Sequence, residues 1–164
     1  MSRAQTAATT PATSTLASAG LWYRVYTYAH APQTTEFGQE AVDQLGVDPN
    51  RLLKTLVVTT DQERFANAIL ATANKLDFKR LAKVLQTKSV RLAEASAAQR
   101  KTGYVLGGIS PLGQKTVLPT LIDHSVQAHE TVWVSGGQRG TSVELRVADL
   151  IELTAGRVAP ITRV

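Results

Sequence analysis

The sequence predicts a mixed α+β domain with a curved, barrel-like β-sheet flanked by short helices. Two observations point to this class. Runs of β-branched and aromatic residues are interleaved with short stretches of helical periodicity along the 164 residues. Most connections between those runs are too short for the crossovers that join parallel strands. No internal repeat, linker or low-complexity core divides the chain. Residues 10–164 therefore read as one domain behind a flexible tail at residues 1–9.

Residues 1–20 carry no acidic side chain and are rich in Ala, Ser and Thr, with Arg3 the single cation. An organelle-targeting peptide is the alternative to a frayed tail there. Thr10 is placed to cap a short helix that has Pro11 at its first position and Gly20 just past its end. Leu21–Tyr28 is a strand by composition, and alternation puts Trp22, Arg24, Tyr26 and Tyr28 on one face. Ala29-His30-Ala31-Pro32 is a turn. Gln39–Leu45 is a short helix with Ala41, Val42 and Leu45 inward and Gly46 closing it.

Leu53–Thr60 reads as a buried strand. Arg64–Thr72 is a second one, joined to it through Asp61-Gln62-Glu63, although its alanines keep a helix open. Asp77 caps the clearest helix: Phe78, Leu81, Ala82 and Leu85 recur at helical spacing, with Lys79, Arg80 and Lys83 outside. Val90–Ala93 is a short strand and Glu94–Lys101 a helix. Farther on, Val117–Ile122, Thr131–Ser135 and Val143–Arg146 are strand-like. Val147, Leu150, Ile151 and Thr154 share a helical face that ends at Gly156, and Val158–Ile161 finishes the sheet.

Eighteen Lys and Arg against thirteen Asp and Glu give a net charge of +5, which favours an anionic partner such as RNA. The absence of cysteine excludes disulfides, thiolate metal sites and a cysteine nucleophile. Among three histidines, His124 and His129 miss the four-residue spacing of paired zinc ligands, so neither a zinc hydrolase nor another metal site is expected. No apolar run has the roughly 18–20 residues needed to span a membrane.

The most informative stretch is Thr102–Lys115, TGYVLGGISPLGQK. Gly107 and Gly108 follow a short apolar run, where missing side chains allow positive φ and close approach of a ligand. Pro111 stiffens the loop by fixing its own φ and restricting Ser110. Such a corner is either a simple turn or the floor of an oxyanion or phosphate pocket.

Four stretches together resemble the YbaK family of aminoacyl-tRNA deacylases, relatives of the editing insertion of prolyl-tRNA synthetase. They are Thr27-Tyr28 with His30, Leu53-Lys54-Thr55-Leu56, the Thr102–Lys115 loop, and Val134-Ser135-Gly136-Gly137 with Arg139-Gly140. Fainter similarity lies in Phe37-Gly38 through Pro49 and in Ala71–Asn74. The likeness spans roughly Leu21–Val158 and is greatest to the Cys-tRNA(Pro) deacylases.

The resemblance implies an ester hydrolase acting on the 3′ end of mischarged tRNA(Pro), cytoplasmic and without metal or organic cofactor. Prolyl-tRNA synthetase is the partner that would supply tRNA selection. Lys54 matches the family's essential lysine, and Gly107 and Gly108 the glycine pair set against the aminoacyl carbonyl. Tyr28, Thr55, Tyr104 and Ser135 match pocket-lining positions that would orient the amino acid or ribose. Lys101 and Arg139 are candidates for phosphate contacts. His30 is either a base acting through water or a structural turn residue. The mechanism implied for cysteine-specific members, attack by the substrate's own thiol, needs no side-chain nucleophile.

Two departures stand out. Ala29 and Ala31 replace acidic residues common around the histidine, and Gln138 stands where a lysine is common. Alternative readings are a sister specificity, such as Ala-tRNA(Pro), and a non-catalytic accessory that binds tRNA or a synthetase.

Overall fold

The computed structural model describes residues 9–163, so the expected tail lies almost wholly outside the described residues. The first helix, α1 (Pro11–Ser18), is capped as its sequence demands. Thr10 Oγ1 accepts from Thr13 N at 3.2 Å, and Thr13 Oγ1 accepts from Thr10 N at 2.9 Å. The same Thr10 hydroxyl donates to Gly136 O at 2.6 Å, which ties the start of the chain to the second glycine-rich turn.

Strand β1 (Tyr23–Thr27) is followed by α2 (Phe37–Leu45), closed by Gly46 in the left-handed conformation at φ 66°. Then come β2 (Leu53–Thr60), β3 (Phe65–Ala71), α3 (Phe78–Val84), β4 (Val90–Leu92) and α4 (Ala95–Thr102). After the long loop follow β5 (Thr120–Asp123), a 3-10 turn (His124–Ala128), β6 (Thr131–Ser135), β7 (Thr141–Arg146), α5 (Val147–Thr154) and β8 (Arg157–Ala159).

The strands form two sheets rather than one closed surface. One is antiparallel, in the order β1-β7-β6; the other is mixed, in the order β4-β2-β3-β5-β8. In the mixed sheet β5 runs parallel to both β3 and β8. Two parallel crossovers therefore exist despite the short local connections. The chain leaves the sheet for many residues between β3 and β5, and again between β5 and β8, and those excursions supply the length.

Apolar residues fill both faces of the mixed sheet. Leu53, Val57 and Ile69 meet Val132, Val143 and Leu145 of the other sheet in the main core, with Leu16 and Leu150 from the helices. On the opposite face Val58, Ala68 and Leu70 pack against Leu81 of α3. Burial on both faces explains why Arg64–Thr72 lacks alternation and why its alanines belong to a strand. Asp77 caps α3 as expected, accepting from Lys79 N and Arg80 N. The strand expected from Val117 starts only at Thr120; Val117 is 92% exposed.

Candidate active site

Besides packing in the core, the two sheets are joined among the described residues by one parallel bridge, Leu52 with Trp133, where Trp133 N donates to Arg51 O at 2.9 Å. Pairing does not continue beyond it. The residues that follow, Leu53–Leu56 on β2 and Val134-Ser135 on β6, instead line a cavity of about 360 Å³. Its remaining walls come from Tyr28, from Phe37 and Ala41 of α2, and from Gly107 and Ile109 of the glycine loop. A concave, mainly apolar space with a few hydroxyls and one cation has the size and character of a ligand pocket.

Lys54 lines this cavity and is half-buried. Even-numbered residues of β2 such as Leu56 and Val58 direct their side chains toward α3, and the strand borders the cavity along the run Leu53–Leu56. None of the ion pairs among the described residues includes it. Burial, and then the positive charge of Lys75, lower its pKa from the ordinary 10.5. An unpaired ammonium in such surroundings is a ready site for an anionic or strongly accepting ligand.

The two glycines of the loop do different things. Gly107 lines the cavity at φ 87°, and the Phe37 ring lies 2.6 Å from where its Cβ would be. Gly108 is buried outside the lining, and its N–H donates to Val105 O at 2.9 Å. Its Cβ would meet the main chain of Gln138 at 2.8 Å, not a ligand. Of the expected glycine pair, Gly107 lies at the cavity and Gly108 at a backbone-to-backbone contact beside it.

Tyr28, Thr55 and Ser135 line the cavity. Burial, and then the charge of Glu40, raise the pKa of the Tyr28 phenol, which keeps it a donor at neutral pH. Tyr104, expected beside them, does not line it. Its hydroxyl donates to Leu112 O at 2.6 Å within the main core, and burial pushes its pKa up to about 12. Lys101 and Arg139 also lie outside the lining. The Lys101 ammonium sits 5.1 Å from the Phe65 ring centroid. Arg139 donates from Nε to Leu106 O at 2.7 Å, and its guanidinium lies 5.0 Å from the Phe37 centroid. It braces two cavity walls from the rim.

His30 is held by Glu40: its Nδ1 lies 2.6 Å from Oε1, and Ala31 N donates to Oε2 at 2.8 Å. A carboxylate only accepts, so the proton of this pair sits on Nδ1. Glu40 comes from α2 and supplies the acidic partner that Ala29 and Ala31 do not.

Phe37, Leu106, Ile109, Thr141 and Ser142 were not among the expected site residues, yet they line the cavity. Phe37 stood in the fainter stretch of similarity. Thr141 and Ser142 follow the second glycine turn, and pairing of Ser142 with Tyr26 and Ser135 carries them to the site. No chemistry-bearing residue type marked the others.

The fold and cavity define an α+β domain with a ligand pocket where its two sheets part. A family model described as an aminoacyl-tRNA editing domain matches residues 31–153, and the chain belongs to that family, the aminoacyl-tRNA deacylases. EbsC of Enterococcus faecalis, provisionally named a Cys-tRNA(Pro)/Cys-tRNA(Cys) deacylase, is 31% identical over 140 residues, 85% of each chain. A segment of proline–tRNA ligase from Maridesulfovibrio salexigens is 28% identical over 102 residues, 62% of this chain and 17% of the ligase. Two crystal structures share the fold. One, described as a candidate trans-editing enzyme for prolyl tRNA synthetase, has a TM-score of 0.79 at 22% identity, covering 94% of this chain and 96% of its own. The other, the hypothetical protein APE2540, has a TM-score of 0.82 at 23% identity, covering 94% and 100%. Among the described residues no helix is long and apolar enough to cross a membrane.

Proposed function

We propose that this chain acts in trans, in the cytoplasm, to clear tRNA(Pro) mischarged with cysteine. The observation that carries the reading is Lys54, half-buried and in no ion pair among the described residues, lining the same mainly apolar cavity as the bare Gly107 corner. In this reading the ammonium grips a ribose or phosphate oxygen at the tRNA 3′ end. Gly107 brings main chain against the ester, and Tyr28, Thr55 and Ser135 orient the small amino acid. Cleavage follows from proximity. The cysteinyl thiol attacks its own carbonyl, a C–S bond forms as the ester C–O bond breaks, and the thiol proton passes to the departing ribose oxygen. The amino acid leaves as a cyclic thioester. His30 is not among the residues that line the cavity, which favours a route that asks no side chain for a base. Similarity to the proline–tRNA ligase segment favours prolyl-tRNA synthetase as the partner that selects the tRNA. Lys101 and Arg139 remain candidates for phosphate contacts outside the cavity.

Deacylation of Cys-, Ala- and Pro-tRNA(Pro) by wild type and Lys54→Ala tests the proposal. Rapid loss of cysteine alone, abolished by S-methylation of the substrate, supports it. Preferential release of alanine assigns the sister specificity. Binding without release of any amino acid makes the protein an accessory.

A further inference from the structure

The main chain of β2 changes partners along its length, and the pairing on one of its sides is interrupted. Its even-numbered residues bond to β3: Thr60 N donates to Arg64 O at 2.8 Å, and Thr72 N to Leu52 O at 2.8 Å. In an antiparallel ladder the alternate residues then turn both N–H and C=O the other way. Those odd residues are served at the two ends. Val57 O accepts from Ala93 N on the β4 side, and Arg51 O accepts from Trp133 N on the β6 side. Between them β4 has already ended at Leu92 and α4 begins at Ala95, while β6 pairs with β2 only at the Leu52 bridge. Thr55 falls in this gap. Neither the β4 ladder nor the β6 bridge extends to Thr55, which lines the cavity across from Val134 and Ser135.

We infer that the main chain of Thr55 is the receptor for the aminoacyl group, which pairs with it as one residue of a missing strand. An amino-acid ester carries on a single carbon the two groups that a strand residue offers, a nitrogen donor and a carbonyl acceptor. In a hydrogen-bonded antiparallel pair two residues exchange both bonds. The substrate's α-ammonium donates to Thr55 O, and Thr55 N–H donates to the ester carbonyl, where negative charge builds during cleavage. The Gly108 N–H, which is committed to Val105 O, does not compete for that role. The site thus reads an α-amino acid ester through its backbone, leaving the side-chain walls to choose which one. This rests on the deacylase reading above and adds a requirement for the free α-amine.

The test is a titration of ¹⁵N-labelled protein with 3′-deoxy-3′-(cysteinylamino)adenosine, its alanyl counterpart, and the 3-mercaptopropanoyl compound that lacks the α-amine. We expect the Thr55 amide proton to move downfield with the first two, and the des-amino compound to bind at least tenfold more weakly. In parallel, replacing Thr55 by its α-hydroxy acid analogue deletes this N–H, while weakening the Lys54 carbonyl as an acceptor toward β3, and should lower kcat for Cys-tRNA(Pro) by about 10²–10³. Binding that leaves Thr55 unmoved, or equal affinity for the des-amino compound, overturns the pairing even if Cys-tRNA(Pro) is cleaved. Failure of both aminoacyl compounds to bind overturns the pairing and the deacylase reading together.

Discussion

The main chain of Gln138 lies 2.8 Å from the point where a Cβ on Gly108 would stand. Two glycine-rich turns, thirty residues apart in sequence, therefore meet through bare backbone. Arg139 reinforces the contact through Leu106 O. Neither turn can retreat cheaply, since what a methyl group would strike is backbone. Gly108→Ala should cost about 1–3 kcal/mol as an overpacking change, measured by denaturant unfolding. Gly107→Ala adds strain at positive φ and presses on the Phe37 ring, so its loss of deacylation should exceed its loss of stability. Equal stability of Gly108→Ala and wild type would show that the turns are loosely apposed.

Lys54 combines a binding role with a folding cost. Burial and Lys75 lower its pKa below 10.5, so its charge is lost at lower pH than that of a free lysine. The rate of deacylation should therefore have a descending alkaline limb with a midpoint below 10.5 that is missing in Lys54→Ala. The sign for stability is opposite to that of a salt-bridged lysine. The folded pKa lies below the unfolded one, so the charge opposes folding at neutral pH, and the penalty is relieved as pH rises through the folded value. Lys54→Met should keep or raise Tm while activity falls by on the order of a hundredfold. A melting scan and a deacylation assay on one sample check both.

His30 and Glu40 separate a structural tie from a catalytic base. Burial is the strongest influence on Glu40 and pushes its pKa up, but hydrogen bonds from His30, Ala31 N and Thr34, with the His30 charge, bring it below the ordinary 4.5. A depressed carboxylate pKa contributes stability that is present above the unfolded value and is lost as pH falls through the folded one. Glu40→Gln should cost about 1.5–3 kcal/mol at neutral pH and flatten this part of the acid dependence. His30→Ala should keep deacylation within about tenfold, whereas a general base would cost about 10²–10⁴. Rates near pH 7 decide between them.

Asp123 is a second acid-sensitive anchor, remote from the cavity. Fully buried at the end of β5, it accepts from Ser125 N at 3.2 Å, Ile161 N at 3.0 Å and Thr162 Oγ1 at 3.3 Å, and from the Ser125 hydroxyl. Burial raises its pKa most, yet these donors outweigh it and the net direction is down. Its stabilisation is likewise lost as pH falls. Asp123→Ala leaves buried donors unpaired at about 1–3 kcal/mol each. The variant should melt earlier without a change in KM.

Local chemistry explains which features were legible. Thr10 with Pro11, Asp77 and Gly46 each act within one turn of chain, so caps and helix ends follow from residue type alone. The core strands follow from β-branched composition, with Val117 the exception because nothing packs on it. Tyr104 shows the limit. A hydroxyl beside a glycine loop signals a pocket, but Leu112 O claims it, and only the folded loop reveals that competition.

By themselves the residues determined the α+β class, the strand and cap positions, the editing-family kinship and the candidacy of Lys54 and Gly107. Each of these is written in neighbouring side chains or in a contiguous motif. Tertiary structure alone decided that β4 ends and β6 diverges on either side of Thr55, that Gly108 serves Gln138, and that Glu40 holds His30. Such relations depend on register and packing between segments distant in sequence. A one-residue slip would reverse which way the Thr55 main chain faces, and no local pattern encodes that choice.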